Sequence, residues 1–191
     1  MDRDEDLRRE VRKVYSEMAD HPADDYPIPV GRVLAEAVGY PVALLDSLPA
    51  DAADAFAGVG YIWGFAEIPE GGRVLDLGCG AGLDALIASG RSEQVIGVDF
   101  SDSMLARARK AAADAGAANL ELLRGDAEAI PLGDRAVDCA LVNGIFNLNP
   151  ARAEIFSELA RVLRPGGRAF VAELILSDGA TASADKSDWF S

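Results

Sequence analysis

Seven residues, Asp76-Leu77-Gly78-Cys79-Gly80-Ala81-Gly82, constrain most strongly what this chain can fold into. They follow the apolar start of the run RVLDLG directly and lead into a helical stretch, Ala81 to Ser89. A strand that turns sharply into a helix needs backbone conformations open mainly to glycine. Glycines at alternate positions also let a ligand lie close to the main chain at the helix N-terminus. Taken alone, the pattern also fits ordinary turn glycines, so its surroundings decide what it means.

From Arg73 onward, short runs rich in Val, Leu and Ile recur: RVLDLG, QVIGVDF, NLELLRG, AVDCALVNG and RAFVAELIL. Helical stretches lie among them at Ala81 to Ser89, Asp102 to Ala115 and Arg152 to Leu163. This alternation predicts a doubly wound, mostly parallel α/β sheet. Ser101 is expected to cap the second of these helices, and Pro150 to occupy the opening turn of the third. Ile155, Phe156, Leu159, Val162 and Leu163 form a stripe wide enough to cover a sheet, and Pro165 with Gly166 and Gly167 is expected to end that helix. Residues 4–19 carry Leu7, Val11, Val14, Tyr15 and Met18 on one helical face, which predicts a lid or brace docked on a larger body. Shorter helices are expected around Val30 to Val38, Val42 to Leu48 and Ala50 to Phe56. The domain reading is a helical cap over residues 1–70, a core over 71–176 and a polar tail over 177–191.

The pocket residues restrict the ligand. Asp99 closes the second strand, where a carboxylate can accept both hydroxyls of a ribose. A dinucleotide fingerprint needs G-x-G-x-x-G, but here the third glycine comes one position early. Asp76 would repel a pyrophosphate and attract an ammonium group. Both features disfavour a dehydrogenase and favour a positively charged, phosphate-free nucleoside, a description that S-adenosylmethionine meets. After the third strand, Asp126 is placed to accept from an adenine amino group, with Ala127 and Ile130 as apolar contacts. After the fourth, Asn143 and Asn147 are candidates to orient a polar substrate, with Phe146 as a wall and Gly144 leaving room; holding the loop is the alternative use of the two amides. His21, Tyr26 and Tyr61 are further candidates on the cap side, with His21 expected in an exposed loop.

Composition removes several function classes. With 191 residues, the chain suits one cored domain. It carries 32 acidic against 18 basic residues, a net charge of −14, so encounters with nucleic acid or anionic lipid begin with repulsion. Two cysteines and one histidine leave no disulfide framework and no usual zinc cluster, so no metal is expected. The absence of a signal-like apolar segment predicts a cytoplasmic protein.

The segments VLDLGCGAGLDALIA, VIGVDFSDSMLARAR, LLRGDAEAIPLGDRAVDCALVNG and RVLRPGG, in that order, resemble the motifs of the class I S-adenosylmethionine-dependent methyltransferases. GLDALIAS, GYPVALLDSLPADAADAFAGVG and NGIFNLNPAR are similar to the branch that includes arsenite methyltransferases. The resemblance implies a Rossmann-like fold with the methyl donor over Gly78, Gly80 and Gly82, Asp99 on the ribose and Asp126 near the adenine. Asp76, Cys79, Phe100, Met104, Gly125, Ala127 and Asn143 complete the expected cofactor set. Asn143, Phe146 and Asn147 are the residues expected at the reacting centre.

The implied activity is methyl transfer to a small molecule of unassigned identity; the alternatives are a catalytically silent binder of the same cofactor and an arsenite methyltransferase. The arsenite enzymes use several thiolates, one just after the asparagine that ends the fourth strand, where this chain has Gly144. Both Cys79 and Cys139 are expected to be packing residues. The family sheet has seven strands and only five are legible here, so the chain is expected to lack the C-terminal strands, as a fragment, an early stop or a selenocysteine codon read as a stop. An uncovered sheet edge would then invite a homodimer.

Overall fold

The computed structural model describes residues 3–21, 26, 29–147 and 149–175. Four helices come first: α1 (Arg3–Asp20), α2 (Gly31–Ala37), α3 (Val42–Asp46) and α4 (Ala50–Asp54), followed by a 3-10 turn at Ile62–Gly64 that the sequence pattern does not announce. The core runs β1 (Arg73–Leu77), α5 (Leu83–Ser89), β2 (Gln94–Asp99), α6 (Asp102–Ala115), β3 (Leu120–Arg124), β4 (Val137–Asn143), α7 (Arg152–Val162) and β5 (Leu163–Ala172). Its strands form one sheet in the order β3-β2-β1-β4-β5, and every pairing is parallel. The doubly wound α/β architecture expected from the alternating pattern is the one observed.

Residue alternation explains the layers. Successive strand side chains point to opposite faces. Thus Val74, Val95, Cys139 and Leu141 join the core under α5 and the cap, while Leu75, Leu77, Ile96, Val98, Ala140 and Val142 join the core under α7. Strands β1, β2 and β4 are buried almost throughout, as central parallel strands must be, whereas every position of β3 and β5 is half-buried or exposed.

Three local expectations change. Pro150 precedes Ala151, the N-cap of α7, so it lies outside the first turn; Asn149 Oδ1 instead takes the Ala151 N–H at 2.8 Å. Ile155, Leu159 and Val162 are buried as expected, but Phe156 is 57% exposed and stacks on Phe146 with ring centroids 4.6 Å apart. The chain passes from Val162 straight into β5, and Pro165-Gly166-Gly167 is absorbed as a register irregularity: Val137 pairs with Leu163, Cys139 with Arg168. The bulge at an edge strand costs little because that edge has no further partner among the described residues.

No helix links β3 to β4. Arg161 on α7 holds that loop instead, donating to Leu132 O at 2.7 Å and Ile130 O at 2.9 Å, while Glu158 accepts the Ile130 N–H at 2.8 Å. Ser101 caps α6 as expected, accepting from the Met104 N–H. The polar tail from Ser177 onward, including Trp189 and Phe190, lies outside the described residues.

Candidate functional site

The sheet order reverses between β1 and β4, and their C-terminal ends therefore part to leave a crevice. A cavity opens there, floored by Asp76 to Ala81 from the β1 end and its turn, and bounded by Asp99 and Phe100 at the end of β2, Gly125 to Glu128 after β3, and Asn143 to Ile145 at the end of β4. The turn is anchored by the Gly78 and Cys79 N–H groups, which donate to Val98 O at 2.8 and 3.1 Å. Gly82, the N-cap of α5, has φ +89° and packs so tightly that a Cβ would lie 3.1 Å from Ala108 Cβ.

Three carboxylates set the electrostatics of the floor. Asp76 is 2% exposed, and its Oδ2 has no hydrogen-bond partner. Burial pushes its carboxyl well above the ordinary range, reinforced by the charges of Asp84 and Asp99; the Ala85 N–H pulls the other way. Asp99 is also raised by burial, but the N–H groups of Ser101 (2.8 Å) and Gly80 (2.9 Å) support its charge. Asp84 accepts Tyr40 Oη and Trp63 Nε1, each at 2.7 Å, and Asn143 Nδ2 at 3.0 Å, which oppose the upward push of burial.

These bonds join cap to core. Asn143 Oδ1 accepts the Val59 and Gly60 N–H groups at 2.9 and 3.3 Å, and its Nδ2 reaches Gly60 O at 3.0 Å. The cap thereby delivers Ala52, Ala55, Phe56, Ala57 and Gly58 as a wall of small and apolar side chains. From the other side α1 adds Val11, Arg12 and Tyr15. Tyr15 sits edge-on to Phe100 at 6.4 Å, and burial first, then the charges of Asp99 and Glu173, raises its phenol.

Residues 74–167 match a family model described as "Methyltransferase domain". The core carries the class I S-adenosylmethionine-dependent methyltransferase fold. A curated relative from Halobacterium salinarum named arsenite methyltransferase is 38% identical over 129 residues, covering 66% of this chain and 33% of its own. The crystal structure of the YcgJ protein from Bacillus subtilis superposes with a TM-score of 0.54 at 33% identity, over 58% of this chain and 47% of that one. A structure from Methanococcus maripaludis described as a "putative s-adenosyl-l-methionine-dependent methyltransferase" shares the fold over 85% of this chain and 63% of its own, with a TM-score of 0.60 at 22% identity. The chain spans about a third to less than half of the length of the first curated relatives it matches.

Around the cavity of this methyltransferase fold, the structure gathers Asp76, Gly78, Cys79, Gly80, Asp99, Phe100, Met104, Gly125, Asp126, Ala127 and Asn143. Gly82 stands behind it in the α5–α6 contact, and Ile130 is buried in the core under α7. Phe146 and Asn147 are not among the lining residues. Phe146 packs in that same core, and Asn147 Nδ2 donates to Glu173 Oε1 at 3.0 Å and Leu174 O at 2.6 Å, tying the loop to the end of β5. Asn143 lines the cavity, and its amide is engaged with Val59, Gly60 and Asp84. His21, Tyr26 and Tyr61 lie outside the lining as well; His21 N donates to Glu17 O at 2.8 Å at the end of α1.

Arg12, Tyr40, Trp63, Asp84, Glu128 and Asn149 belong to the site or its support without having been singled out in the sequence. Only the Val11/Tyr15 spacing on α1 hinted that this helix faces something. Among the described residues no group of three or more His, Cys, Asp or Glu is placed to hold a metal ion, and no helix is long and apolar enough to cross a membrane.

Proposed function

We propose that this chain binds S-adenosylmethionine in the cavity and transfers its methyl group to a small molecule. The observation that carries this reading is the buried, unpartnered Asp76 Oδ2 in a cavity that Asp99 also lines. A carboxylate buried without a partner is costly unless a cation completes it, and the cofactor's ammonium group is such a cation. Asp99 is the ribose acceptor in this reading, and Phe100, Asp126 and Ala127 form the adenine side.

When bound, the sulfonium supplies an activated methyl group whose leaving thioether needs no proton. The chain's own residues therefore orient and dehydrate the reactants. Ala52, Ala55, Phe56, Ala57, Gly58 and Ile145 exclude water on the acceptor side, and Asp84 with Asn143 holds that wall in place. Among the described residues, the cavity is lined by Asp76, Asp84, Asp99, Asp126 and Glu128 against Arg12 as the lone lysine or arginine, which disfavours a phosphate-bearing polymer as acceptor.

Arsenite is not the acceptor we propose, despite the name of the halobacterial relative. Both cysteines are buried, and burial pushes the Cys139 thiol up to about 11 and the Cys79 thiol well above its ordinary value. Soft-metalloid capture needs several accessible thiolates. At position 144, φ is +85° and a Cβ would stand 3.0 Å from Val59 Cγ1, so the backbone there resists a cysteine. A second reading, binding without turnover, is favoured by the engagement of the Asn143 and Asn147 amides elsewhere.

Calorimetry with S-adenosylmethionine, S-adenosylhomocysteine and NAD tests the cofactor. The two sulfur nucleosides should bind, and NAD should bind at least tenfold more weakly; tighter NAD binding overturns the reading. Assay of S-adenosylhomocysteine release over a panel of amines, phenols, thiols, acids and arsenite separates transferase from silent binder. Tight cofactor binding with no release selects the latter.

A further inference from the structure

The adenine end of the cavity already contains a side chain. Arg12, from α1, holds its guanidinium 5.4 Å above the centre of the Phe100 ring and forms an ion pair from Nη2 to Asp126 Oδ1. A guanidinium is flat, delocalised and edged only with N–H donors. Adenine is also flat, and its amino group is a donor on one edge. The two groups ask for the same partners, an aromatic face and a carboxylate.

We propose that Arg12 is an internal occupant of the adenine subsite, so that its guanidinium must give up Asp126 and Phe100 before a nucleoside seats there. The inference rests on the assignment of Phe100 and Asp126 to the adenine side made above. Arg12 belongs to the lining of the cavity, as do both of its partners, so the contact lies inside the site and not on an unrelated surface. The arginine can withdraw without displacing its helix. The C-terminal end of α1, about two turns on, is anchored separately, with Met18 and Ala19 packed against Ala81 and Met104, and the Ala19 carbonyl taken by Arg107. The pair is also readily exchanged: the Arg12 and Asp126 side chains are 43% and 42% exposed, a setting in which ion pairs are weak and salt-sensitive.

Competition has a direction that a clamp does not. If Arg12 competes with adenine, its removal tightens nucleoside binding; if it clamps a bound nucleoside, its removal loosens binding. Calorimetric titration of the full chain with S-adenosylhomocysteine, and separately with adenosine, should be made for the parent, Arg12→Ala and the control Lys13→Ala. Lys13 is exposed on the same helix and pairs with Glu17. Arg12→Ala should bind both probes about three- to tenfold more tightly than the parent, the size of a weak ion pair plus a cation–π contact. Lys13→Ala should match the parent. Raising the salt should bring the parent-to-variant ratio of Kd toward one, because salt screens the contact only the parent has. Equal affinities at low salt, or weaker binding by Arg12→Ala, would overturn the competition while leaving the cofactor site standing. Failure of all three proteins to bind either probe would overturn the cofactor reading and this inference with it.

Discussion

At the scale of single residues, the site separates groups spent on structure from groups left open. Asn143 and Asp84 have committed their polar atoms to the cap, whereas Asp76 keeps an oxygen buried and free of any bond. That open group should destabilise the ligand-free protein. Burial and the neighbouring carboxylates raise the folded-state pKa of Asp76, so the folded chain holds that proton more tightly than the unfolded one. Stability linked to this group is thus present at low pH and lost as pH rises from the ordinary carboxylate range through the folded value. Asp76→Asn should raise the urea midpoint of the ligand-free protein at pH 7, with the gain vanishing near pH 4. The same change should weaken S-adenosylmethionine by about tenfold or more, the worth of a charge-assisted bond. A variant less stable than the parent at pH 7 would show that Asp76 finds its compensation within the protein.

At the scale of elements, the glycine turn does more than shape the cavity. Gly82 is where α5 starts and where α6 comes closest, at Ala108. Gly116, the C-cap of α6, also has positive φ, +66°, but a Cβ there would meet nothing within 4 Å. The pair isolates backbone strain from crowding. Gly116→Ala should cost about 1–2 kcal/mol, the penalty of a left-handed alanine. Gly82→Ala should cost that plus roughly 1 kcal/mol or more for prising two helices apart. Equal losses in denaturant unfolding would mean that α6 yields freely at Ala108. The β3–β4 connection makes a related point: Arg161 and Glu158 supply from a distant helix the fixation that a crossover helix would have supplied locally.

At the scale of the whole molecule, one buried network decides whether cap and core behave as one body. Tyr40 and Trp63 belong to the cap, Asp84 to α5 and Asn143 to β4, and all converge on a single carboxylate. Asp84→Ala would leave two buried donors, Tyr40 Oη and Trp63 Nε1, unmatched, each costing about 1–3 kcal/mol, while Asn143 Nδ2 would keep Gly60 O. It should lower stability by about 3 kcal/mol or more and should raise hydrogen exchange in residues 40–63 ahead of the sheet. Unchanged protection across the cap would mean that apolar packing alone, through Ala52, Phe56 and Ile62, keeps it seated.

The sequence by itself determined the sheet, its parallel sense and the chemistry gathered at its carboxyl ends. The physical reason is that these depend on local periodicity and on residues such as Gly80, Asp76 and Asp99, which act within a strand, a turn or one crossover of their neighbours. Tertiary structure alone supplied the partners of Asn143, Phe146 and Asn147. An amide serves equally well as a substrate contact or as internal glue, and partners such as Gly60 and Glu173 stand 83 and 26 positions away in the chain. The same holds for Arg12. A basic residue on an amphipathic helix reads as solvent-facing until the helix is laid across the cavity and its charge meets Asp126, more than a hundred residues away.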